Sequence, residues 1–186
     1  FKKPAFDLKM EELIPVIKKE IPLKAHAHNI DDMFTAIRIA KELDVKLTLE
    51  HCTEGHLVAD KLVAEGYPLA VGPGLTHATK FELRDITWKT PGILSKLGGQ
   101  VSIITDSPVV PQTYLPMCAA LAVKAGMDED EALKAITINP AKHLGIEDRV
   151  GSIEVGKDAD LVIIKGHPFD MNHEVHYVFI DGQLVK

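Results

Sequence analysis

Cysteine is scarce in this chain: its 186 residues contain only Cys52 and Cys118, far apart. No CxxC pair and no disulfide framework can be built from them, and a reducing, cytoplasmic compartment is the expectation. Long apolar runs are also missing. Nothing is long enough to cross a bilayer, and no leader pattern is visible. Charge of one sign is not concentrated anywhere. There are 21 Lys and Arg against 27 Asp and Glu, for a net charge of -6 without a like-charge block. Such a surface disfavours phosphate backbones and anionic membranes, so neither nucleic acid nor membrane is an expected partner. An initiator methionine is missing too. The first residue is Phe1, which gives the expectation of part of something longer.

What is present is the composition of an ordinary folded domain. The chain is 46% hydrophobic and 26% charged, enough to bury a sizeable core in one domain with a small appendage. Three stretches repeat one plan, a short apolar run closed by a polar residue and followed by a helical pattern. The first is Pro22–His26. A helix over Ile30–Leu43 follows, with Ile30, Phe34, Ile37 and Ala40 at helical spacing and Asn29 or Asp31 as caps. The second is Lys46–His51, with Thr53 as cap of a helix over Glu54–Glu65 that Gly66 ends. The third is Pro68–Val71, closed by Gly72-Pro73-Gly74. A fourth strand is expected at Val101–Asp106. Helices are expected at Leu115–Ala125, Asp128–Ile136 (Asp128 and Glu131 forming a capping box) and Pro140–Leu144.

Repeated strand–helix alternation predicts βα units and a parallel sheet. Eight such units close a barrel, and this chain holds about four. Beyond residue 144 the pattern changes. Val150–Glu154, Leu161–Ile164, Tyr177–Ile180 and Gln183–Val185 read as short strands, with Asp181-Gly182 as a hairpin turn. The division expected is 1–144 for the barrel portion and 145–186 for a small antiparallel β-sandwich portion.

His26, His51 and Asp106 each close an expected strand just before the chain turns toward a helix. In a parallel barrel such positions meet at one rim, so the three side chains converge. Two imidazoles and a carboxylate suit zinc or a similar divalent metal, and the carboxylate could equally serve as the base for an attacking water. His28 and His77 stand on the same rim as candidate substrate contacts, against the ordinary alternative of exposed loop histidines. By strand alternation Lys24 shares the inward face with His26, whereas Glu50 should point to the helix layer. His56 is expected on a helix surface. His143, His167, His173 and His176 fall outside the strand-end pattern and read as surface or structural.

The runs Lys24-Ala25-His26-Ala27-His28, Leu49-Glu50-His51 and Ile104-Thr105-Asp106-Ser107-Pro108 resemble the fifth, sixth and eighth barrel strands of the amidohydrolase superfamily, in its imidazolonepropionase-related branch. The most specific likeness is Thr137-Ile138-Asn139-Pro140-Ala141-Lys142 followed by the run Gly151–Val162, which is similar to the superfamily's transition from barrel to β-sandwich. The resemblance covers nearly the whole chain. It implies the C-terminal half of a (β/α)₈ TIM barrel, strands five to eight, with part of a β-sandwich. It also implies hydrolysis of an amide or related C–N bond by a metal-activated water. His26 and His51 would be metal ligands, and Asp106 a ligand and the catalytic acid/base.

Two family features are missing: the His-x-His pair of the first strand and the lysine or glutamate of the fourth. One or two zinc or other divalent ions in a complete enzyme, and little turnover from this chain alone, follow from the resemblance. Where imidazolonepropionases carry acidic residues after the fifth-strand histidine, this chain has His28 and Asn29. Substrates left open are a cyclic amide, an N-acyl amino acid or dipeptide, and an aminated ring. An open half-barrel would carry two exposed sheet edges. Association with a second copy or with a missing N-terminal half is therefore expected. The alternative from another class is a non-catalytic scaffold that keeps the fold.

Overall fold

The computed structural model describes residues 5–186; Phe1 lies outside the described residues. Two short helices, α1 (Leu8–Glu11) and α2 (Ile14–Ile17), precede a four-stranded parallel sheet in the order β1-β2-β3-β4. Its strands are β1 (Leu23–Ala27), β2 (Leu47–His51), β3 (Leu69–Val71) and β4 (Val101–Ile103). Each strand pairs with its successor in sequence, and α3 (Ile30–Leu43), α4 (Ala59–Ala64) and α5 (Lys89–Lys96) form the connections. Helices α6 (Leu115–Lys124), α7 (Glu129–Lys134) and α8 (Ile138–Leu144) follow. A separate antiparallel sheet is built from β5 (Leu161–Lys165), β6 (Glu174–Ile180) and β7 (Gln183–Leu184).

Strand alternation divides the parallel sheet into two chemically different faces. Leu47, Leu49, Leu69 and Val101 are buried against Met33, Ile37 and Ala40 of α3, Leu62 of α4 and Leu94 of α5. The other face carries the cross-strand row His26, Glu50, Ala70 and Ser102, in register. Among the described residues no helix covers that face near β1, where Lys24 and His26 are exposed.

The two sheet edges differ. Two outward groups of β4 are engaged by the chain itself: the Ile103 N–H donates to Ala135 O at 2.9 Å, and the Asn139 amide donates to Val101 O at 2.8 Å. The edge of β1 has no such cover among the described residues. The two edges expected to be open are thus unequal, β4 being partly engaged.

Other departures have local causes. The helix expected over 54–65 is a 3-10 turn at Gly55–Leu57, a break at Val58 with φ -134°, and then α4. Thr53 does not cap it, because its hydroxyl is taken by His28. The stretch 150–154 is not a strand. Gly151 turns there with φ +93°, so close to α8 that a Cβ would lie 2.8 Å from Ala141 Cβ. Helix α5 was not foreseen. No helix of the described residues is long and apolar enough to cross a membrane.

Candidate functional site

Strand β1 ends at Ala27 and β2 at His51, beside each other in register. Alternation alone would send His51 to the helix side with Ala27. Instead the backbone turns left-handed, with φ 79° at His51 and 46° at Cys52. That turn brings the ring of His51 to His26, with centroids 4.2 Å apart, and to His28, with centroids 4.5 Å apart and planes 28° from parallel. One ring nitrogen from each of His26, His28 and His51 lies within 4.8 Å of the others.

Each ring is held differently. Nδ1 of His51 lies 2.8 Å from the carbonyl oxygen of Gly72. A carbonyl only accepts, so Nδ1 carries the proton and Nε2 keeps its lone pair, the arrangement commonly found behind a metal-bound histidine. His28 is buried, with Nδ1 2.7 Å from Thr53 Oγ1 and Nε2 3.8 Å from Glu82 Oε1. Burial first, and then the neighbouring His51, push its pKa down to about 4, so the ring is neutral at physiological pH. His26 is exposed on the open face.

A buried carboxylate ties the rim together. Glu54 is 3% exposed; Oε2 accepts the Ile30 N–H at 2.9 Å and Oε1 pairs with Arg84. The start of α3, the end of β2 and the 81–84 turn thereby share one anchor. Arg84 also stacks over Phe81 at 4.3 Å, which sets Glu82 beside His28. Neither Glu54 nor Glu82 was singled out from the sequence, since nothing in their spacing distinguishes them from surface acids.

The remaining candidates lie apart. Asp106 follows β4 with φ 52°, is exposed, and is not among the donors that fall within 4.8 Å of one another. His77 is exposed in the loop after β3. His56 is part-buried rather than purely on a surface, with Nδ1 3.0 Å from Thr90 Oγ1.

Below the histidines a polar network fills the inward face. Glu50 Oε1 accepts from Thr48 Oγ1 at 2.8 Å and from His143 Nε2 at 2.8 Å, with Lys24 Nζ at 3.6 Å. This corrects the expectation that Glu50 faces the helix layer. Residues 48 and 50 alternate normally, and only the left-handed turn at His51 breaks the parity on which that expectation rested. His143 is buried and structural, joining α8 to the inner face.

Burial opposes ionisation of Glu50, but the hydrogen bond and charge of His143, the Thr48 hydroxyl and Lys24 outweigh it and hold the pKa at about 2. Between that value and the ordinary 4.5, the unfolded chain binds more protons than the native one. The stabilisation from Glu50 is therefore complete above 4.5 and drains away as pH falls through about 2. An acid titration of stability should be shallower in Glu50→Gln than in wild type across this window; superimposable curves would refute the network.

With fold and site described, the chain can be placed among known proteins. The sequence pattern of the Amidohydrolase family matches residues 9–185, and the chain belongs to that family. A solved amidohydrolase from Thermotoga maritima MSB8 is 47% identical, with a TM-score of 0.94 over 100% of this chain and 48% of its own. A protein of Bos taurus described as a probable imidazolonepropionase is 31% identical over 195 residues, covering 98% of this chain and 44% of its own length. A solved Xaa-Pro dipeptidase with bound methionine in its active site is 26% identical, with a TM-score of 0.71 over 91% of this chain and 46% of its own. The chain thus spans less than half the length of each.

Proposed function

We propose that this chain forms the C-terminal part of a metal-dependent hydrolase of C–N bonds, with β1 to β4 as barrel strands five to eight. Residues 1–144 then belong to the barrel and 145–186 to a β-sandwich portion. The observation that carries the reading is the pairing of His26 with a His51 whose Nδ1–H is fixed on the Gly72 carbonyl.

The donor set suits zinc or another divalent ion: two imidazoles meet on an open face, and one is already in the tautomer a ligand needs. A metal held by His26 and His51 would supply Lewis-acid polarisation of the scissile carbonyl and would acidify the attacking water. Asp106, exposed on the loop after β4, is the residue assigned to take up the proton from water and return it to the leaving nitrogen. His28 and His77 are assigned as further contacts to a small amide substrate on the rim. The rest of the ligand set and the cover for the inner face come from additional barrel strands, in another segment or a second copy. Turnover by these 186 residues alone is accordingly expected to be slight.

The test is zinc content by elemental analysis after equilibration and desalting, with His51→Ala as control. About one zinc per chain is the outcome expected for a mononuclear site. In the control, affinity should fall by more than the roughly 10–100-fold that loss of an outer partner brings. Equal zinc retention in both proteins would remove His51 from the ligand set.

A further inference from the structure

The three clustered histidines invite reading as one metal triad, but the groups behind them do not treat them alike. We infer that Thr53 and Glu82 fix His28 as its neutral Nε2–H tautomer, so that it serves as a hydrogen-bond donor to a substrate oxygen and not as a third metal ligand. The substrate role rests on the hydrolase reading; the tautomer does not.

The argument begins at Thr53. It is 6% exposed, and its Oγ1 lies 2.7 Å from His28 Nδ1. Among the described residues, that nitrogen is the hydroxyl's sole hydrogen-bond partner. If Nδ1 carried the proton and donated, the hydroxyl hydrogen would be buried with no acceptor, at a cost of about 1–3 kcal/mol. If the hydroxyl donates, both atoms are satisfied. The ring proton then sits on Nε2.

The other end of the ring agrees. Glu82 Oε1 is 3.8 Å from Nε2, beyond hydrogen-bond range but close enough for its charge to count. A carboxylate facing a lone pair is repelled, whereas one facing an N–H is attracted. Charged neighbours flank Glu82 in this position. Lys80 Nζ lies 3.4 Å from the same oxygen, and two residues on Arg84 is locked to the buried Glu54.

His51 is the counter-case. Its Nδ1–H is held by the Gly72 carbonyl at 2.8 Å, which leaves the lone pair on Nε2. Two rings stacked at 4.5 Å therefore carry opposite tautomers, set by a hydroxyl behind one and a carbonyl behind the other. The His28 N–H is not consumed inside the protein, since its acceptor stands 3.8 Å away. A neutral donor beside the ligand histidines matches the carbonyl oxygen of an amide, where negative charge develops during attack. Thr53 and Glu82 are positioning residues for that donor.

The experiment is a long-range ¹H–¹⁵N correlation spectrum of the zinc-free chain labelled with ¹⁵N-histidine at neutral pH. His28→Gln and His51→Gln assign the two rings. His28 should show a pyridine-type Nδ1 and a pyrrole-type Nε2, and His51 the reverse. In Thr53→Val the His28 Nδ1 resonance should shift toward the value of an unbonded pyridine-type nitrogen. A pyrrole-type Nδ1 on His28, or two pyrrole-type nitrogens, would overturn the inference in wild type alone, whatever the variants do.

Zinc addition separates this inference from its parent. Response of His51 with a retained Nε2–H on His28 supports both. Loss of that proton to zinc overturns the donor role and leaves the metal reading standing. The predicted tautomers with no response to zinc at any ring sink the metal reading and leave the tautomer assignment intact.

Discussion

Gly72→Ala is expected to cost about 3 kcal/mol or more and to lower the melting temperature by roughly 10 °C, with loss of the cooperative transition as the extreme outcome. Gly72 has φ +141°, a conformation that L side chains rarely adopt. Space is equally prohibitive: a Cβ would lie 2.2 Å from the carbonyl oxygen of Ile104. That carbonyl cannot swing aside freely, because the Ile104 N–H is bonded to Val71 O at 3.0 Å. The strain falls directly on the site, since the Gly72 carbonyl fixes the tautomer of His51. Thermal unfolding followed by circular dichroism reads the effect. A melting temperature within about 2 °C of wild type would mean that the β3–β4 crossing is placed wrongly.

Leu49→Ala should be the next most damaging change, lowering unfolding free energy by about 3 kcal/mol. Leu49 is 0% exposed at the centre of the sheet, paired with Ala25 on one side and Leu69 on the other. Met33, Leu62 and Leu94, each also 0% exposed, belong to the same core, so the surroundings cannot collapse easily into the vacated space. Urea unfolding should show a lower midpoint at unchanged slope. Leu43→Ala is the control: at 65% exposed on the last turn of α3, it should stay within about 0.5 kcal/mol of wild type. Equal effects at both positions would refute the burial assigned to Leu49.

The parts of this fold that announce themselves in the sequence are those governed by periodicity. Helix α3 runs over Ile30–Leu43 as its apolar spacing requires, and Asp128 accepts the Glu131 N–H at 3.1 Å as its capping pattern implies. The turn at Asp181-Gly182 joins β6 to β7 as a hairpin. Helix α5 was hidden because Lys89-Thr90-Pro91-Gly92 reads as a loop. Pro91 is tolerated in the first turn, and Gly92 is needed where a Cβ would come within 3.0 Å of the Met127 backbone.

At the candidate site, strand-end position singled out His26 and His51 as expectations, and the structure brings their ring centroids within 4.2 Å of each other. It could not foretell the facing of Glu50, because a left-handed residue cancels alternation and no local signal marks His51 as one. Thr53, Glu54 and Glu82 were illegible for another reason. Their roles are defined by partners 24 to 54 residues away, as in Ile30–Glu54, Glu54–Arg84 and His28–Glu82, and periodicity carries no information about such pairs.

The unequal edges of the parallel sheet bear on how copies could assemble. Head-to-tail growth needs the β1 edge of one molecule to meet the β4 edge of the next, and repetition of that contact produces rings or filaments. Here the Ile103 N–H and the Val101 carbonyl already have partners in Ala135 and Asn139, so a contact at that edge competes with bonds the chain makes to itself. Among the described residues, β1 is the edge without such partners. Pairing β1 with β1 is isologous, consumes both free edges at once, and stops at two molecules.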